Sequence, residues 1–406
     1  MGINYTFDLW KKNLAYQWIS TLYVAALGFF VSVILARELG VLNFGNYSFV
    51  LSLAGIILII QDGGYKTLIY RESIDGNSKK LVSSAIFHVL SITGFVSLSI
   101  LLLQPKFWLP ILTATSCMSL VAISGFVSSL LKGCGDFKSD AMWKIAIRTF
   151  TAVSILLVLF LCKDNTITFL FVGWSIALIL VLIWAIAKGY LEWPSYDFKN
   201  GFFKASMVFL TIDVATVFYF RSDIVLLEYL GNAEGEVGQY SAAYRILEGI
   251  ILLATPVAMI TFRFLRRNLK NKQKFFHLIW ILLLIMFAAS TLIVLLAAFW
   301  GKEFMVFVFG TEYSIAGTLL FWLLLAMFFI LPNYILTQGA IALNKERSYA
   351  IIVVMIAVVN IILNIELIPN FGAIGAAWST IVAEGILFLS LGTILWLEKH
   401  KVAQKI

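Results

Sequence analysis

Charge is scarce in this chain. Asp, Glu, Lys and Arg together make up 13% of its 406 residues, about half the share a soluble domain needs to cover its surface, so a water-soluble globular fold is excluded. Cysteine is rarer still: Cys117, Cys134 and Cys162 stand alone, without the spacing of a disulfide framework or a zinc site. The three histidines are equally scattered; His88 lies within an apolar run, where a packed, helix-bonded role is expected. No loop expected outside the cytoplasm is long enough to house the carboxylate or histidine cluster of a membrane glycosyltransferase, polymerase or ligase, so no enzymatic activity and no cofactor are expected. No cleavable signal peptide is expected either, because the first apolar run is too long for one and lacks a small-residue cleavage site.

In place of charge there is hydrocarbon. Hydrophobic residues make up 61% of the chain and the mean hydropathy is +0.95. Apolar runs of about 20 residues, enough to cross ~30 Å of bilayer as helices, recur along the whole length. They fall at approximately 14–36, 44–62, 81–103, 107–131, 142–162, 166–187, 204–227, 238–262, 278–300, 315–341, 348–368 and 372–396. The expected class is therefore an all-α membrane protein of about twelve transmembrane helices. With ends assigned alternately, the side holding the N-terminus collects most Lys and Arg, including "RFLRRNLKNKQK", while the other receives Arg37, Lys106, Lys163 and Lys302. The positive-inside rule then puts both termini in the cytoplasm. The net charge of +8 is explained by that topology near anionic lipid, with no nucleic-acid partner.

Two stretches resemble each other. "LGVLNFGNYSFV" (39–50) and "LGNAEGEVGQYSAA" (230–243) both place Leu-Gly after an apolar helix and Gly-x-Tyr-Ser at the opening of the next. The expected organisation is an N-terminal lobe over 1–190, a linker over 191–203 containing Pro194, and a C-terminal lobe over 204–406. An even number of helices per lobe makes the two lobes parallel, with a cavity between them.

Three basic residues fall inside helices: Arg148, Arg221 and Arg245. Arg148 is placed about one turn inside a cytoplasmic helix end, where it can snorkel. Arg221 and Arg245 lie deeper, beside Asp223 and Glu248. Each charge near the bilayer centre costs roughly 2.5–3.5 kcal/mol, so these residues must be paired or wet. The repeat sets neutral residues against them: Phe30 for Arg221, Ser32 for Asp223, Ser52 for Arg245 and Gly55 for Glu248. A purely architectural need would appear in both copies. Asp223 and Glu248 are the expected structural ion-pair residues, with Asp223 within reach of Arg245. Arg221 points away from Asp223 and is the better phosphate ligand, a fork of donors matched to phosphate oxygens. Asp213 and Glu384, isolated acids near mid-helix, are candidates for proton or cation coupling, with a protonated, hydrogen-bonded contact to a neighbouring helix the equal alternative for Asp213 and helix packing the favoured role for Glu384. Asn360 and Asn364 share a helix face and are expected to bond between helices. Asp62 reads as a helix terminus, and "YKTLIYRESIDGNSKK" after it as a short interfacial helix. Tyr219, Trp174, Asn333 and Gln338 are available for sugar contacts, with packing the commoner use of each.

The segment "NIILNIELIPNFGAIGAAWSTIVAE" (360–384) resembles helices 11 and 12 of the Wzx-type oligosaccharide flippases, polysaccharide transporters of the superfamily that includes the lipid II flippases and the multidrug and toxin extrusion (MATE) proteins. "ARELGVLNFGNYSFVLSLAGIILIIQDGG" and "GCGDFKSDAMWKIAIR" are similar to other recurring segments of that family. The resemblance implies two six-helix lobes in a V around a cationic cavity. It implies alternating access that moves undecaprenyl-diphosphate-linked O-antigen, capsule or exopolysaccharide units across a bacterial cytoplasmic membrane. It also implies membrane lipids, a polysaccharide polymerase and a chain-length regulator as partners. Arg221 and Arg245 carry over as cavity cations, and Lys204 with them. The first helix departs from the lipid II pattern in having no charge between Lys12 and Arg37. A multidrug exporter of the same superfamily and a non-transporting assembly subunit are the alternatives.

Overall fold

The computed structural model describes residues 2–74, 79–162, 166–191, 202–269 and 271–403; within these, side chains are described outside 2–14, 74, 79, 202–205, 208–209, 211–212, 215–216, 253–260, 263 and 401–403. The described residues are helical, without strands. The helices are α1 (Gly2–Asp62), α2 (Tyr65–Ile74), α3 (Lys79–Leu103), α4 (Trp108–Gly133), α5 (Phe137–Leu161), α6 (Thr166–Ala187), α7 (Phe202–Leu230), α8 (Glu236–Arg267), α9 (Lys272–Phe309), α10 (Ser314–Leu325), α11 (Met327–Ala342) and α12 (Glu346–Ala403). Eight described segments are long and apolar enough to cross a membrane, one of them the stretch Thr311–Ala342 that holds α10 and α11.

Two of them are far too long to cross it once. At 61 and 58 residues, α1 and α12 would each run about 90 Å if straight, against a hydrocarbon core of ~30 Å. Each is broken at a glycine. Gly40 (φ 68°) and Gly372 (φ 56°) leave helical geometry on the side of the map that other residues rarely enter. The apolar runs 14–36 and 44–62 thus become the two legs of α1, and 348–368 and 372–396 those of α12. The run 315–341 is divided between α10 and α11, which meet at Ala326.

Contacts divide the chain into two units. The first comprises Met1–Glu38 and Val50–Val217, the second Leu39–Phe49 and Phe218–Ile406. The division within α7 thus falls between Val217 and Phe218, and the segment 192–201, most of the expected 191–203 linker, lies outside the described residues.

In the first unit, α2 to α6 pack around Tyr65, Leu68, Val82, Val89, Phe126, Trp143 and Ala185, all buried. In lipid, burying an apolar side chain yields no hydrophobic gain, so close packing and interhelical hydrogen bonds must hold such a core. Asp140 of α5 supplies one set: it is fully buried, pairs with Lys144 at 2.8 Å, accepts from Gln17 at 2.7 Å and from the Ser128 hydroxyl, and so joins α1, α4 and α5. Lys144 donates to the Gln17 side-chain amide oxygen, Oε1, at 2.8 Å. Gln61 supplies another, donating to Thr93 and to the Thr115 carbonyl. Asp62 accepts the Lys66 N–H at 3.0 Å at the opening of α2, and His88 bonds the Ile60 carbonyl. The short helix α2 is more buried than an interfacial helix should be: Tyr65, Leu68 and Ile69 are sealed in the core while Lys66 and Arg71 stay exposed.

Arg148 does not snorkel from the first turn. Because α5 starts at Phe137 and not near Met142, Arg148 stands about 16 Å along it. Its guanidinium lies over Gly28 of α1, occupying the space a β-carbon there would need.

In the second unit, Leu265, Phe275, Ile279, Ile335, Leu336, Leu391 and Leu395 form the core between α8, α9, α11 and α12. The two Gly-x-Tyr-Ser copies meet here. A β-carbon on Gly45 would come within 2.8 Å of the Gly238 nitrogen, and one on Gly238 would strike the Val41 carbonyl. Only glycine at both positions lets the backbones approach this closely. Around them Glu236 accepts the Ala373 N–H at 2.6 Å, Asn232 donates to the Pro369 carbonyl at 2.7 Å, and Gln239 bonds the Glu312 carbonyl and the Ala316 N–H.

Candidate functional site

Arg221, Asp223, Arg245 and Glu248 gather where α7 and α8 meet in the second unit. Arg221 and Asp223, two apart, point to opposite sides of α7. Asp223 faces inward and is 2% exposed; it accepts from the Tyr240 hydroxyl at 2.6 Å and from the Ile224 N–H at 2.8 Å. Among the described residues it forms no ion pair with Arg245, so the expected Asp223–Arg245 contact is corrected. Tyr240 has taken its place, because the Gly-x-Tyr-Ser turn sets that ring against α7. Tyr244, one turn on, stacks at 5.8 Å from Tyr240 and donates to the Phe220 carbonyl.

Glu248 does pair, and with both arginines. Its Oε2 receives Arg245 Nη1 at 2.8 Å, and its Oε1 lies 3.5 Å from Arg221 Nη2. One carboxylate thus stands between two guanidiniums, and with the buried Asp223 the four side chains carry two charges of each sign. The side chains are 27% (Arg221), 18% (Arg245) and 33% (Glu248) exposed, so the cluster is neither sealed nor spread on the surface. Each guanidinium has five N–H donors, and Glu248 occupies few of them. What remains is a forked donor set suited to phosphate oxygens.

The two expected coupling acids sit apart from this cluster. Asp213 lies beyond the division in α7, in the first unit, half-buried and without an ion pair among the described residues. Glu384 of α12 is 6% exposed and engages neutral donors at both oxygens: Tyr219 Oη at 2.6 Å and Asn333 Nδ2 at 2.7 Å. Asn333 also donates to the Glu384 carbonyl at 3.0 Å. Glu384 therefore ties α7, α11 and α12 together, and it engages two of the residues considered for sugar contacts. Trp174 lies in the first unit, stacked on Phe171. Asn364 donates to Asn360 at 3.1 Å along the same helix, so the bond expected between helices runs within one. The Lys204 side chain falls outside the described residues. Tyr240 and Tyr244 are the site residues that composition hides. Their signal was spacing: Tyr240, Tyr244 and Glu248 recur every fourth residue on one face of α8.

The family model for polysaccharide biosynthesis proteins matches residues 10–263, which include α7, the arginine pair and most of α8. The chain belongs to this family. Among relatives of this polysaccharide biosynthesis protein is the probable low-salt glycan biosynthesis flippase Agl15 of Haloferax volcanii, 25% identical over 93% of this chain and 82% of that one. Among solved structures, the lipid II flippase MurJ in an inward closed conformation superposes with a TM-score of 0.76 at 18% identity, over 93% of this chain and 86% of the other. The Vibrio cholerae MATE transporter VcmN superposes with a TM-score of 0.59 at 17% identity, over 99% and 98%. At these identities the likeness establishes the fold: an all-helical membrane protein of the flippase and MATE kind.

Proposed function

We propose that this protein translocates a lipid-linked glycan across a membrane, with Arg221 and Arg245 receiving its phosphate groups. The observation that carries the reading is Glu248 held between two partly exposed guanidiniums, an arrangement that engages only some of their forked N–H donors inside apolar helices. A phosphate-bearing head group cannot cross hydrocarbon unaided, and a wet cationic site lowers that barrier. The description of Agl15 as a glycan biosynthesis flippase points the same way. The MATE fold alone does not favour a drug exporter. A cationic drug needs a free carboxylate, and in the second unit Asp223 and Glu384 are buried and already hydrogen-bonded, which leaves Asp213 of the first unit as the acid such a drug would have to use.

In this reading the chain crosses a prokaryotic cytoplasmic membrane twelve times with both termini inside, and the 191–203 segment joins two six-helix lobes. It works by alternating exposure of the site to the two membrane faces, without covalent chemistry. A polymerase and a chain-length regulator would take up the product, and the carrier would be a polyprenyl diphosphate such as undecaprenyl diphosphate. Lys204 belongs to the substrate path, and Asp213 is the remaining candidate for ion coupling. Deletion should trap lipid-linked glycan on the cytoplasmic leaflet, scored by head-group accessibility in oriented vesicles. Normal outward exposure in the deletion strain would refute the assignment.

A further inference from the structure

The first unit holds a groove that head-group binding leaves unused. Met142, Ala146 and Phe150 stand every fourth residue on α5, and Leu180, Val181 and Trp184 face them from α6. Together with Trp143 they line a space of about 320 Å³, within the range of small-ligand sites. Trp143 is fixed: it is 2% exposed, and its Nε1 donates to the Ser124 carbonyl at 3.0 Å. Trp184 stacks on it at 5.9 Å and is 48% exposed, so the wall opens toward lipid. One turn beyond, at the end of α6, the exposed Lys188 places its ammonium 5.9 Å from the Trp184 ring centre. The groove is an apolar slot with the Lys188 ammonium at one mouth.

We propose that this groove seats the polyprenyl chain of an anionic lipid, the tail of the lipid-linked glycan, with its phosphate end at Lys188. The inference rests on the translocation reading and adds a separate station for the carrier, occupied when its phosphate is not on Arg221 and Arg245. The choice of chain follows from shape and charge. One slot beneath one ammonium suits a lipid with one chain under an anionic head, whereas a phospholipid must leave one of its two chains outside. Because lipid surrounds the protein, selectivity comes from close packing on the two indole faces and from the phosphate–ammonium contact, and not from hydrophobic transfer.

The test uses the full chain in phosphatidylethanolamine vesicles with a diazirine-bearing polyprenyl monophosphate as probe. After irradiation, adducts should map to 142–150 and 180–184. Unlabelled polyprenyl phosphate should reduce them about tenfold, and equimolar phosphatidylglycerol less than about twofold. Ala146→Trp, which fills the slot, and Lys188→Gln, an exposed change that leaves packing alone, should each lower labelling about tenfold. Adducts spread over all lipid-facing helices, or equal competition by phosphatidylglycerol, would overturn the site in favour of bulk lipid. Glycan translocation is measured in the same vesicles. Translocation without groove adducts removes the groove and leaves the function standing, while groove adducts without translocation support the groove and count against the function.

Discussion

Glu248 sits where three charges have to coexist in a poor solvent for ions. Removing it would leave Arg221 and Arg245 without the carboxylate that pairs with both, and losing one partner of a partly buried ion pair is more damaging than replacing the pair. Glu248→Gln should therefore lower thermal stability in detergent, by about 1–3 kcal/mol, read as a drop in melting temperature; an unchanged melting point would mean that the cluster is solvated as freely as a surface pair. Glu384 asks a different question, since its partners are neutral. Tyr219→Phe removes one of its two side-chain donors and should cost about 1 kcal/mol, while Tyr244→Phe, which frees only a backbone carbonyl, should cost less. The reverse ranking in a thermal-melt series would show that Glu384 is not the junction of α7, α11 and α12.

Element geometry depends on a few glycines. Gly238→Ala would drive a methyl into the Val41 carbonyl, and Gly372→Ala would meet Glu236 while also forcing alanine to positive φ. Both should reduce the yield of folded protein severalfold by size-exclusion chromatography, whereas Gly249→Ala, with open space around it, should not. Normal yield from Gly238→Ala would mean that the two Gly-x-Tyr-Ser turns are not in register. Those turns were legible in the sequence as a repeat, but their mutual contact was not, because pattern matching gives correspondence and not proximity. Helix existence was readable from hydrophobic runs of bilayer length; the starts of helices were not. Arg148 was misplaced for that reason: "FKSDA" at the head of α5 is polar, and it is helical because Asp136 caps it, accepting the Ser139 N–H at 3.0 Å, and because Asp140 is paired within the core.

At the scale of the whole molecule, composition alone places the chain in a membrane, and the fold shared with MurJ and VcmN agrees with that placement. The arginine pair could be singled out from sequence because charge is so rare in these helices that each instance demands a reason. Its wiring could not. Sequence spacing allowed Arg245 to meet either Asp223 or Glu248, and only the packing of Tyr240 against α7 decides that Asp223 is closed and Glu248 bridges. The consequence for transport is specific. A charge-assisted contact to phosphate contributes about 1.5–3 kcal/mol, or roughly tenfold or more in rate if it acts where the head group crosses. Arg221→Lys keeps charge but loses the fork, so it should fall between wild type and Arg221→Gln.

The most direct measurement is translocation of a lipid-linked oligosaccharide in proteoliposomes, followed by the accessibility of its sugar to an impermeant lectin. Wild-type protein and protein-free vesicles bracket Arg221→Gln, Arg245→Gln and the double variant at equal reconstituted amounts. Each single change is expected to slow transfer about tenfold, and the double variant to reach the protein-free rate. Wild-type transfer by the double variant would show that the guanidiniums of α7 and α8 serve only to hold the helices together, and would contradict the assignment of the phosphate to them.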